Sequence, residues 1–492
     1  MSKVFGSSKF WAAIILIIAL AVGGHSLYRS RSTSLLDKTI YNEFRTAVND
    51  IASSEQGGFT SQDELKAFIT DWADSKELKY KEDKSGNIIF DQKAVKRKKN
   101  NAPTLICVNM NYETAADNAG LLASAAAVAY ADLDSSRKTV VFVNDEQGLA
   151  KGYKGLSTKY LTSKSKVIYL DAGSSTYLST GSFQERFSSI SIDAKREDNV
   201  CDTAVKISIR GIKPGVIGPS ISKQPDPISA FGTLLTRLKS RSAIYRIANL
   251  EVGTDGNMYP VSVDAVITLN SYAVSSFTSY IDKHIKSWEK TYGDDNEGLE
   301  YTYEVIDDAE ELPKKTYTAA TTDKLAGILY TVKSGAYRYS ESDAIPEGKD
   351  AGDIYAINCL LGIDAENDRI SINMVTQGYN DSFTERVIYD NSAAAELYNC
   401  SFSQGTVIDA FSNDRDSLSL TFQKTYYNIY KDLSPGSDIT IDTDNFFTPC
   451  SYLANRAPKA DIIHIRMNST TASKIANTIL CYIKTKGNTS FF

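Results

Sequence analysis

Histidine is scarce in this chain of 492 residues, which contains His25, His284 and His464 and no others. Imidazole is the commonest nitrogen ligand of zinc in proteins, so this scarcity restricts the metal sites that the chain can build. The sequence also has no G-x-S-x-G elbow and no G-x-x-x-x-G-K loop. Neither a serine-nucleophile hydrolase nor a P-loop nucleotide-binding protein is therefore indicated.

Closely spaced cysteine pairs are missing as well, and the one basic cluster, KAVKRKK at 93–99, is predicted to be a solvated loop. The six cysteines lie far apart, with no C-x-x-C motif and no zinc-knuckle spacing. They are predicted to be buried small hydrophobes, and one or two disulfides remain an alternative. The net charge is −6. A chain with a net negative charge and no predicted basic surface is not expected to bind nucleic acid.

The N-terminus carries the one long apolar run, FWAAIILIIALAVG at residues 10–23, with lysines before it and arginines after it. The run is short for a membrane-spanning helix, so a cleaved signal peptide is the alternative to an anchor. We favour an uncleaved anchor within residues 1–32. The positive charges before the run place the short N-terminal end in the cytoplasm. The bulk of the chain is then predicted to be periplasmic or extracellular.

Buried strands are predicted at residues 104–110, 138–145 and 166–173, with the alanine-rich helix NAGLLASAAAVAYA between the first two. This alternation predicts an α/β fold with a mainly parallel sheet covered by helices on both faces. Ligands of such sheets bind at the carboxyl ends of the strands. The polar side chains predicted to share that edge are Asn109, Asp117, Asp145, Glu146 and Asp171.

The middle of the chain has a different order of elements. From about residue 199 the pattern reads βαββα, and a similar order recurs before residue 411, which indicates an internal duplication. A closing strand and helix follow, and they are predicted to rejoin the first sheet because they would be unstable alone. The predicted segments are an anchor or signal segment (1–32), the first part of the main domain (33–198), an inserted domain (199–411) and the second part of the main domain (412–492).

Several motifs in this order resemble one family. AADNAGLLASAAAV, VNDEQGLAKG and IYLDAG are similar to the metal-site motifs of the zinc-dependent dipeptidase, aminoacylase and carboxypeptidase superfamily. The similarity covers about residues 36–492 and is greatest to the Xaa-His dipeptidases, also called cytosolic nonspecific dipeptidases. The resemblance implies a three-layer α/β/α catalytic domain. It also implies an inserted, internally duplicated α/β lid domain of the dimerisation type.

The same resemblance implies a centre with two zinc ions. In it, Asp117 would bridge the metals, Asp145 would act as general base, and Glu146 and Asp171 would be further ligands. The two histidine ligands of the family fall on Asn109 and Asn468.

An asparagine offers only a neutral carbonyl oxygen, which is a poor ligand for zinc. His464 lies four residues before Asn468 and is a possible alternative ligand, although we favour the interpretation of a strand histidine packed beside isoleucines. Zinc is the implied cofactor if the chain is active. The loss of both histidines instead favours no cofactor, or a hard cation such as Ca²⁺ or Mg²⁺ bound by the retained acids.

Three functions are compatible with these residues. We favour a membrane-anchored or exported pseudopeptidase that has a binding or assembly role, with a peptide or protein as its ligand. The alternatives are an active metallopeptidase that hydrolyses dipeptides or small acyl-amino acids with an altered ligand set, and a pure protein-interaction module. The expected partners are the membrane, through the N-terminal helix, and a second copy of the chain, through the lid.

Overall fold

The computed structural model describes residues 34–54, 57–95, 101–144, 151–213, 217–254, 259–345, 349–379, 382–413, 417–431 and 439–485. The predicted anchor lies outside these residues, and so do Asp145 and Glu146. Within the described ranges, no helix combines the length and the apolar character that crossing a bilayer requires. All six cysteines are free thiols, and all except the partly exposed Cys400 are buried.

The helices are, in chain order, α1 (Lys38–Ala52), α2 (Gln62–Ser75), α3 (Ala119–Tyr130), α4 (Lys151–Gly155), α5 (Pro227–Ser240), α6 (Ser271–Tyr292), α7 (Ala319–Thr331), α8 (Ser382–Leu397), α9 (Ser417–Tyr430), α10 (Cys450–Arg456) and α11 (Ala472–Thr485). The strands are β1 (Lys81–Glu82), β2 (Ile88–Gln92), β3 (Thr104–Met110), β4 (Lys138–Asn144), β5 (Lys166–Ala172), β6 (Tyr177–Ser179), β7 (Gln184–Asp193), β8 (Arg196–Asp198), β9 (Thr203–Arg210), β10 (Tyr245–Thr254), β11 (Pro260–Leu269), β12 (Glu300–Ile306), β13 (Lys315–Tyr317), β14 (Gly335–Arg338), β15 (Ile354–Ala365), β16 (Arg369–Gly378), β17 (Ser401–Ile408), β18 (Thr440–Asp442) and β19 (Asp461–Met467).

The first sheet has eight strands in the order β1-β2-β4-β3-β5-β19-β6-β18. Its centre is parallel, since β3 runs parallel to both β4 and β5, and β19 runs parallel to β5. The strands predicted at 104–110, 138–145 and 166–173 are therefore present, and the helix between the first two is α3. The carboxyl ends of four parallel strands meet at one edge, as the sequence predicts.

Side chains of the central strands alternate between two apolar cores. In β3, Ile106 and Val108 pack on the face covered by α1, α2, α3, α9 and α11. Leu105 and Cys107 point to the opposite face, which is covered by α4 and α10. Both faces are thus closed, and each fully buried aliphatic side chain contributes about 1.5–3 kcal/mol. The result is an α/β/α arrangement in three layers.

The C-terminal segment belongs to the first sheet. β19 is inserted between β5 and β6, and its residues 461–467 pair in register with residues 166–172 of β5. Helix α11 then packs against α3, and Ser124 of α3 donates a hydrogen bond of 3.0 Å to the carbonyl oxygen of Ala472. The closing strand and helix therefore rejoin the sheet, as their sequence predicts.

The residues between these two parts form two further antiparallel sheets. The second sheet has the order β10-β11-β9-β12, and the third sheet has the order β14-β15-β16-β7-β17. Apart from β14, the two orders match strand for strand, with β7 in the position of β9. The duplication predicted within residues 199–411 stays a prediction, since the matching strand β7 lies before residue 199. β7 precedes residue 199, so the third sheet already begins within the segment predicted as 33–198, and the exact segment limits stay a prediction.

Gly152 of α4 lies in close contact with the end of β4. A Cβ atom there would be 2.5 Å from the Asn144 carbonyl oxygen and 2.5 Å from Val143 Cγ1. We expect Gly152→Ala to lower the free energy of unfolding by about 1–3 kcal/mol, because a backbone carbonyl cannot move aside as a flexible side chain can. Urea denaturation followed by circular dichroism measures this change.

Gly362→Ala in β15 is the matched control, since its Cβ would meet only Thr254 Cγ2, at 3.9 Å. We expect no loss of stability for this variant. Equal stabilities of the two variants would contradict the close packing of α4 on β4.

Candidate active-site edge of the first sheet

Three of the predicted site residues lie at the carboxyl edge of the parallel strands. Asn109 is the next-to-last residue of β3, and Asp171 is the next-to-last residue of β5. Asn468 directly follows β19. Asp145 and Glu146 follow β4 in the sequence and lie outside the described residues.

His464 is at the centre of β19 and is fully buried. Register pairs it with Tyr169 of β5, and the two ring centroids are 4.8 Å apart. His464 Nδ1 lies 2.7 Å from Asp444 Oδ2, and His464 Nε2 lies 3.5 Å from Asp171 Oδ2. The imidazole therefore stands between two carboxylates on opposite sides of the ring. The interpretation of a buried strand histidine is correct in position, but its partners are carboxylates and not only isoleucines.

Asp444 is held firmly by its surroundings. Its Oδ1 accepts a hydrogen bond of 2.6 Å from the Tyr177 hydroxyl. Its backbone N–H donates to Ser179 Oγ at 3.0 Å and to the Gly181 carbonyl oxygen at 2.8 Å. These contacts orient the Asp444 carboxylate toward His464 independently of the imidazole. A buried carboxylate with this many partners selects the Nδ1-protonated form of the ring.

The electrostatics of this group favour the imidazolium ion. Burial opposes the charged ring, but the interactions with the Asp171 and Asp444 carboxylates outweigh it and raise the pKa of His464 to about 9. Burial likewise opposes the ionised form of Asp444, yet the hydrogen bond and charge of His464 leave the pKa of Asp444 below its usual range. At neutral pH the pair is therefore an imidazolium and a carboxylate.

Asp171 has a second cation beside it. Arg466 pairs with Asp171 in the β5–β19 register, and Arg466 Nε lies 3.9 Å from Asp171 Oδ2. The guanidinium also donates to the Ala172 carbonyl oxygen and lies over the Phe446 ring, 5.0 Å from its centroid. The Asp171 carboxylate thus faces His464 and Arg466 together. Its charge is balanced by the protein itself.

Asn109 is engaged on the same face of the sheet. Its Oδ1 accepts a hydrogen bond from the hydroxyl of Tyr153, a fully buried residue of α4. The Tyr153 ring packs edge-to-face on Tyr169, with centroids 5.9 Å apart. Since Tyr169 in turn contacts His464, these side chains form one continuous layer. The amide oxygen that the sequence predicts as a histidine replacement is occupied by a tyrosine.

Asn468 caps the approach to α11. Its Oδ1 accepts from the Thr471 backbone N–H at 3.0 Å, the Thr471 hydroxyl at 3.0 Å and the Thr470 hydroxyl at 2.8 Å. Asparagine is favoured in such a turn because its short side chain accepts hydrogen bonds from groups two or three residues further along the chain. The residue at the second histidine position therefore has a structural task in this chain.

Asp117 is separate from these groups. It is exposed in the turn before α3, next to the N-cap residue Asn118. Among the described residues, no side chain forms a hydrogen bond or an ion pair with it. Asp117 and Asp171 make no direct contact in the described part of the chain. That they share a crevice stays a prediction.

The described residues, which do not include Asp145 and Glu146, do not by themselves supply the ligands of a centre with two zinc ions. Within the described ranges, no three His, Cys, Asp or Glu side chains are grouped as metal ligands. Zinc prefers nitrogen and sulfur donors with a tetrahedral arrangement. Here the amide oxygens of Asn109 and Asn468 already accept hydrogen bonds, and the one imidazole lies between Asp171 and Asp444.

Sequence reasoning missed Asp444, Tyr177 and Arg466. Arg466 was detectable, because it is two residues from His464 in the predicted strand IIHIRMN and so lies on the same face. Asp444 had no comparable signal, since it lies in a loop just after the short strand β18. Tyr177 begins β6, which is too short to be identified by alternation.

Comparison with known proteins was made by sequence and by structure. No family model and no curated protein matches the sequence. The structure is similar to the crystal structure of an aminoacylhistidine dipeptidase from Vibrio alginolyticus, with a TM-score of 0.53 over 91% of this chain and 97% of that chain.

The structure is similar in fold to this Vibrio alginolyticus protein. The identity to the Vibrio alginolyticus enzyme is 13%, so the likeness concerns the fold alone. A tripeptidase from Staphylococcus aureus is also similar, with a TM-score of 0.47 and 10% identity over 92% of this chain and 99% of that chain. The first of these likenesses agrees with the α/β fold that the sequence predicts, and it concerns the fold alone.

The raised pKa of His464 makes the stability of the protein depend on pH in a defined direction. A folded-state pKa above the unfolded value contributes stability that is complete below the unfolded pKa and lost as the pH rises through the folded one. With the unfolded pKa at about 6.5, we expect the free energy of unfolding to fall by about 3 kcal/mol between about pH 6.5 and pH 9. Urea denaturation across this range measures the fall.

His464→Gln is expected to abolish the fall. The control is His284→Gln, because burial lowers the pKa of His284 and places its titration below this range. Retention of the full slope in His464→Gln would contradict the assignment.

Proposed function

We propose that this protein uses the dipeptidase scaffold for binding and does not hydrolyse peptides. The observation that carries the proposal is the pairing of Asp171 with two cationic side chains of the protein. His464 Nε2 is 3.5 Å and Arg466 Nε is 3.9 Å from Asp171 Oδ2. A carboxylate in this position is already neutralised without a metal ion.

The charge balance at the edge disfavours a divalent cation. Two carboxylates, Asp171 and Asp444, face two cations, His464 and Arg466, so the group is close to neutral. A metal that used the His464 ring would first have to displace its proton, and metal binding to histidine is coupled to proton release. With a pKa of about 9, this displacement costs about 3 kcal/mol at neutral pH.

The asparagines support the same proposal. Asn109 accepts from Tyr153, and Asn468 holds the start of α11. A ligand histidine at either position would lose these hydrogen bonds. Without zinc there is no water of lowered pKa to act as nucleophile and no metal-polarised carbonyl. The scaffold would then bind a peptide or protein ligand without the hydrolytic step.

We also propose a cellular location and an oligomeric state for the protein. The apolar run at 10–23 with its flanking charges supports a membrane anchor, and with it a periplasmic or extracellular location for the bulk of the chain. The second and third sheets, with their matching strand orders, are proposed to be the lid. β12 is the outer strand of the second sheet and exposes Val305, which supports a homodimer through this edge.

A second candidate function is a metallopeptidase with an altered ligand set. The observation in its favour is that His464 Nε2 is buried and makes no well-formed hydrogen bond within the described residues. Its Nδ1 is bonded to a carboxylate, which is the usual outer partner of a metal-bound histidine. In this alternative, His464 and Asp171 would contribute one ligand each to a single ion.

Zinc binding and hydrolysis distinguish the two functions. We expect the full chain, after dialysis against a micromolar excess of zinc, to retain less than one equivalent of the metal. We also expect it to leave dipeptides uncleaved above the buffer rate. Atomic emission and a ninhydrin assay measure these quantities. Any residual zinc is expected to be the same in Asp171→Ala as in the unaltered chain.

The matched control is Asp264→Ala, which removes a carboxylate that pairs with Arg210 in the second sheet. Two tightly held zinc ions together with dipeptide cleavage would contradict the binding proposal. Loss of both in Asp171→Ala, but not in Asp264→Ala, would establish the alternative.

A further inference from the structure

A polar cavity lies away from the carboxylate–imidazole group, between α1 and the start of α11. Its volume is about 290 Å³. The lining side chains are all polar, and they include two cations and no carboxylate: Lys38, Tyr41, Asn42, Arg45, Ser469, Thr470 and Ser473. The cavity lining is therefore positively charged, although the net charge of the protein is −6.

The cavity follows from the spacing of residues on α1. Positions 38, 41, 42 and 45 are separated by three or four residues, so their side chains lie on one face of the helix. That face meets the first turn of α11, a helix of 14 residues. The N–H groups of a helical first turn and the positive end of the helix dipole favour an anion.

Tyr41 gives independent support for a ligand. Its side chain is 3% exposed, and its hydroxyl has no hydrogen-bond partner among the described residues. A Cβ atom on Gly120 would be 3.3 Å from this hydroxyl and 3.9 Å from Ser469 Cα, so the hydroxyl lies at the α11 end of the cavity. Burial raises the pKa of Tyr41, with a partial offset from the charge of Arg45. The hydroxyl is therefore a neutral donor at pH 7.

The other donors are also available. Within the described part of the chain, Lys38 and Arg45 form no hydrogen bond or ion pair, and the hydroxyls of Ser469 and Ser473 have no partner. Lys38 and Ser469 are exposed and Arg45 and Ser473 are partly exposed, whereas the Tyr41 side chain is buried. A bound anion would accept from the Tyr41 hydroxyl and from these donors at once. Donors approach the cavity from both helices. This arrangement suits a tetrahedral oxyanion, which accepts hydrogen bonds in several directions, better than a planar carboxylate.

We propose that this cavity is a binding site for a phosphate group, held by Arg45, Lys38, the Tyr41 hydroxyl and the first turn of α11. The phosphate group belongs to a lipid headgroup or to a small soluble phosphate. The position of α1, which begins at Lys38 shortly after the apolar run at 10–23, makes a headgroup accessible if that run is in a membrane. The proposal does not depend on whether the edge of the first sheet binds a metal.

Binding of inorganic phosphate and of glycerol 3-phosphate to the full chain tests the proposal. We expect saturable binding of at least one of them in equilibrium dialysis. Arg45→Gln is expected to weaken it about tenfold or more, since a charged hydrogen-bond partner is lost. Tyr41→Phe removes one oxygen and is expected to weaken binding by about threefold to tenfold. The unfolding midpoint of Tyr41→Phe without phosphate serves as the check on its folding.

The matched control is Arg241→Gln, an exposed arginine just after α5. It is expected to bind like the unaltered chain. Absence of saturable binding, or equal binding by the Arg45, Tyr41 and Arg241 variants, would overturn the proposal.

Vesicles distinguish the two sources. Binding to phosphatidylglycerol above phosphatidylcholine that depends on Arg45, with glycerol 3-phosphate preferred over inorganic phosphate, assigns the site to a headgroup. Preference for inorganic phosphate, with no dependence of vesicle binding on Arg45, assigns it to a soluble phosphate.

Discussion

The buried imidazolium of His464 between Asp171 and Asp444 is the interaction on which the candidate site depends. A charge in a fully buried position is stable only when it is paired and hydrogen-bonded. Here one carboxylate is fixed by Tyr177 and by two backbone contacts, while the other is shared with Arg466. The charges required at this edge are thereby supplied by the chain. In the implied peptidase site they would come from metal ions.

This arrangement connects distant parts of the sequence. Asp171 is the next-to-last residue of β5, Asp444 follows β18, and His464 is in β19. The three meet because the C-terminal strand is inserted beside β5. Removal of one partner of such a buried pair leaves the other charge uncompensated, which is strongly destabilising. The group therefore helps to hold the C-terminal strand β19 against β5, and it also sets the charge at this edge of the sheet.

Much of the fold could be predicted from the sequence, because the responsible signals are local. The strands TLICVNM and KVIYLDA are short apolar runs that are buried on both faces, and the alanine-rich helix between parallel strands dictates a crossover. The C-terminal strand could be placed as well, since it has no stable partner except the first sheet. β7 was harder to place. It lies before residue 199 in the sequence but pairs with β16 and β17, and no local pattern reveals such long-range pairing.

The site was predictable in its positions but not in its partners. The motifs indicated Asn109, Asp171 and Asn468 at the strand ends, where the structure has them. The partners Tyr153, Asp444 and Thr471 depend on how loops and helices pack over the edge, and single residues in loops carry no periodic signal. His464 illustrates the difference: its burial follows from the isoleucines beside it, whereas its charge follows from two carboxylates far away in the sequence.

NMR of the His464 ring nitrogens, with and without zinc, reports the protonation state of the buried imidazole. We expect a ring that is protonated at pH 7, releases its proton near pH 9, and gives the same signals when zinc is added. A ring that is neutral at pH 7, or whose Nε2 signal shifts on binding zinc, would rule out an imidazolium held by Asp171 and Asp444.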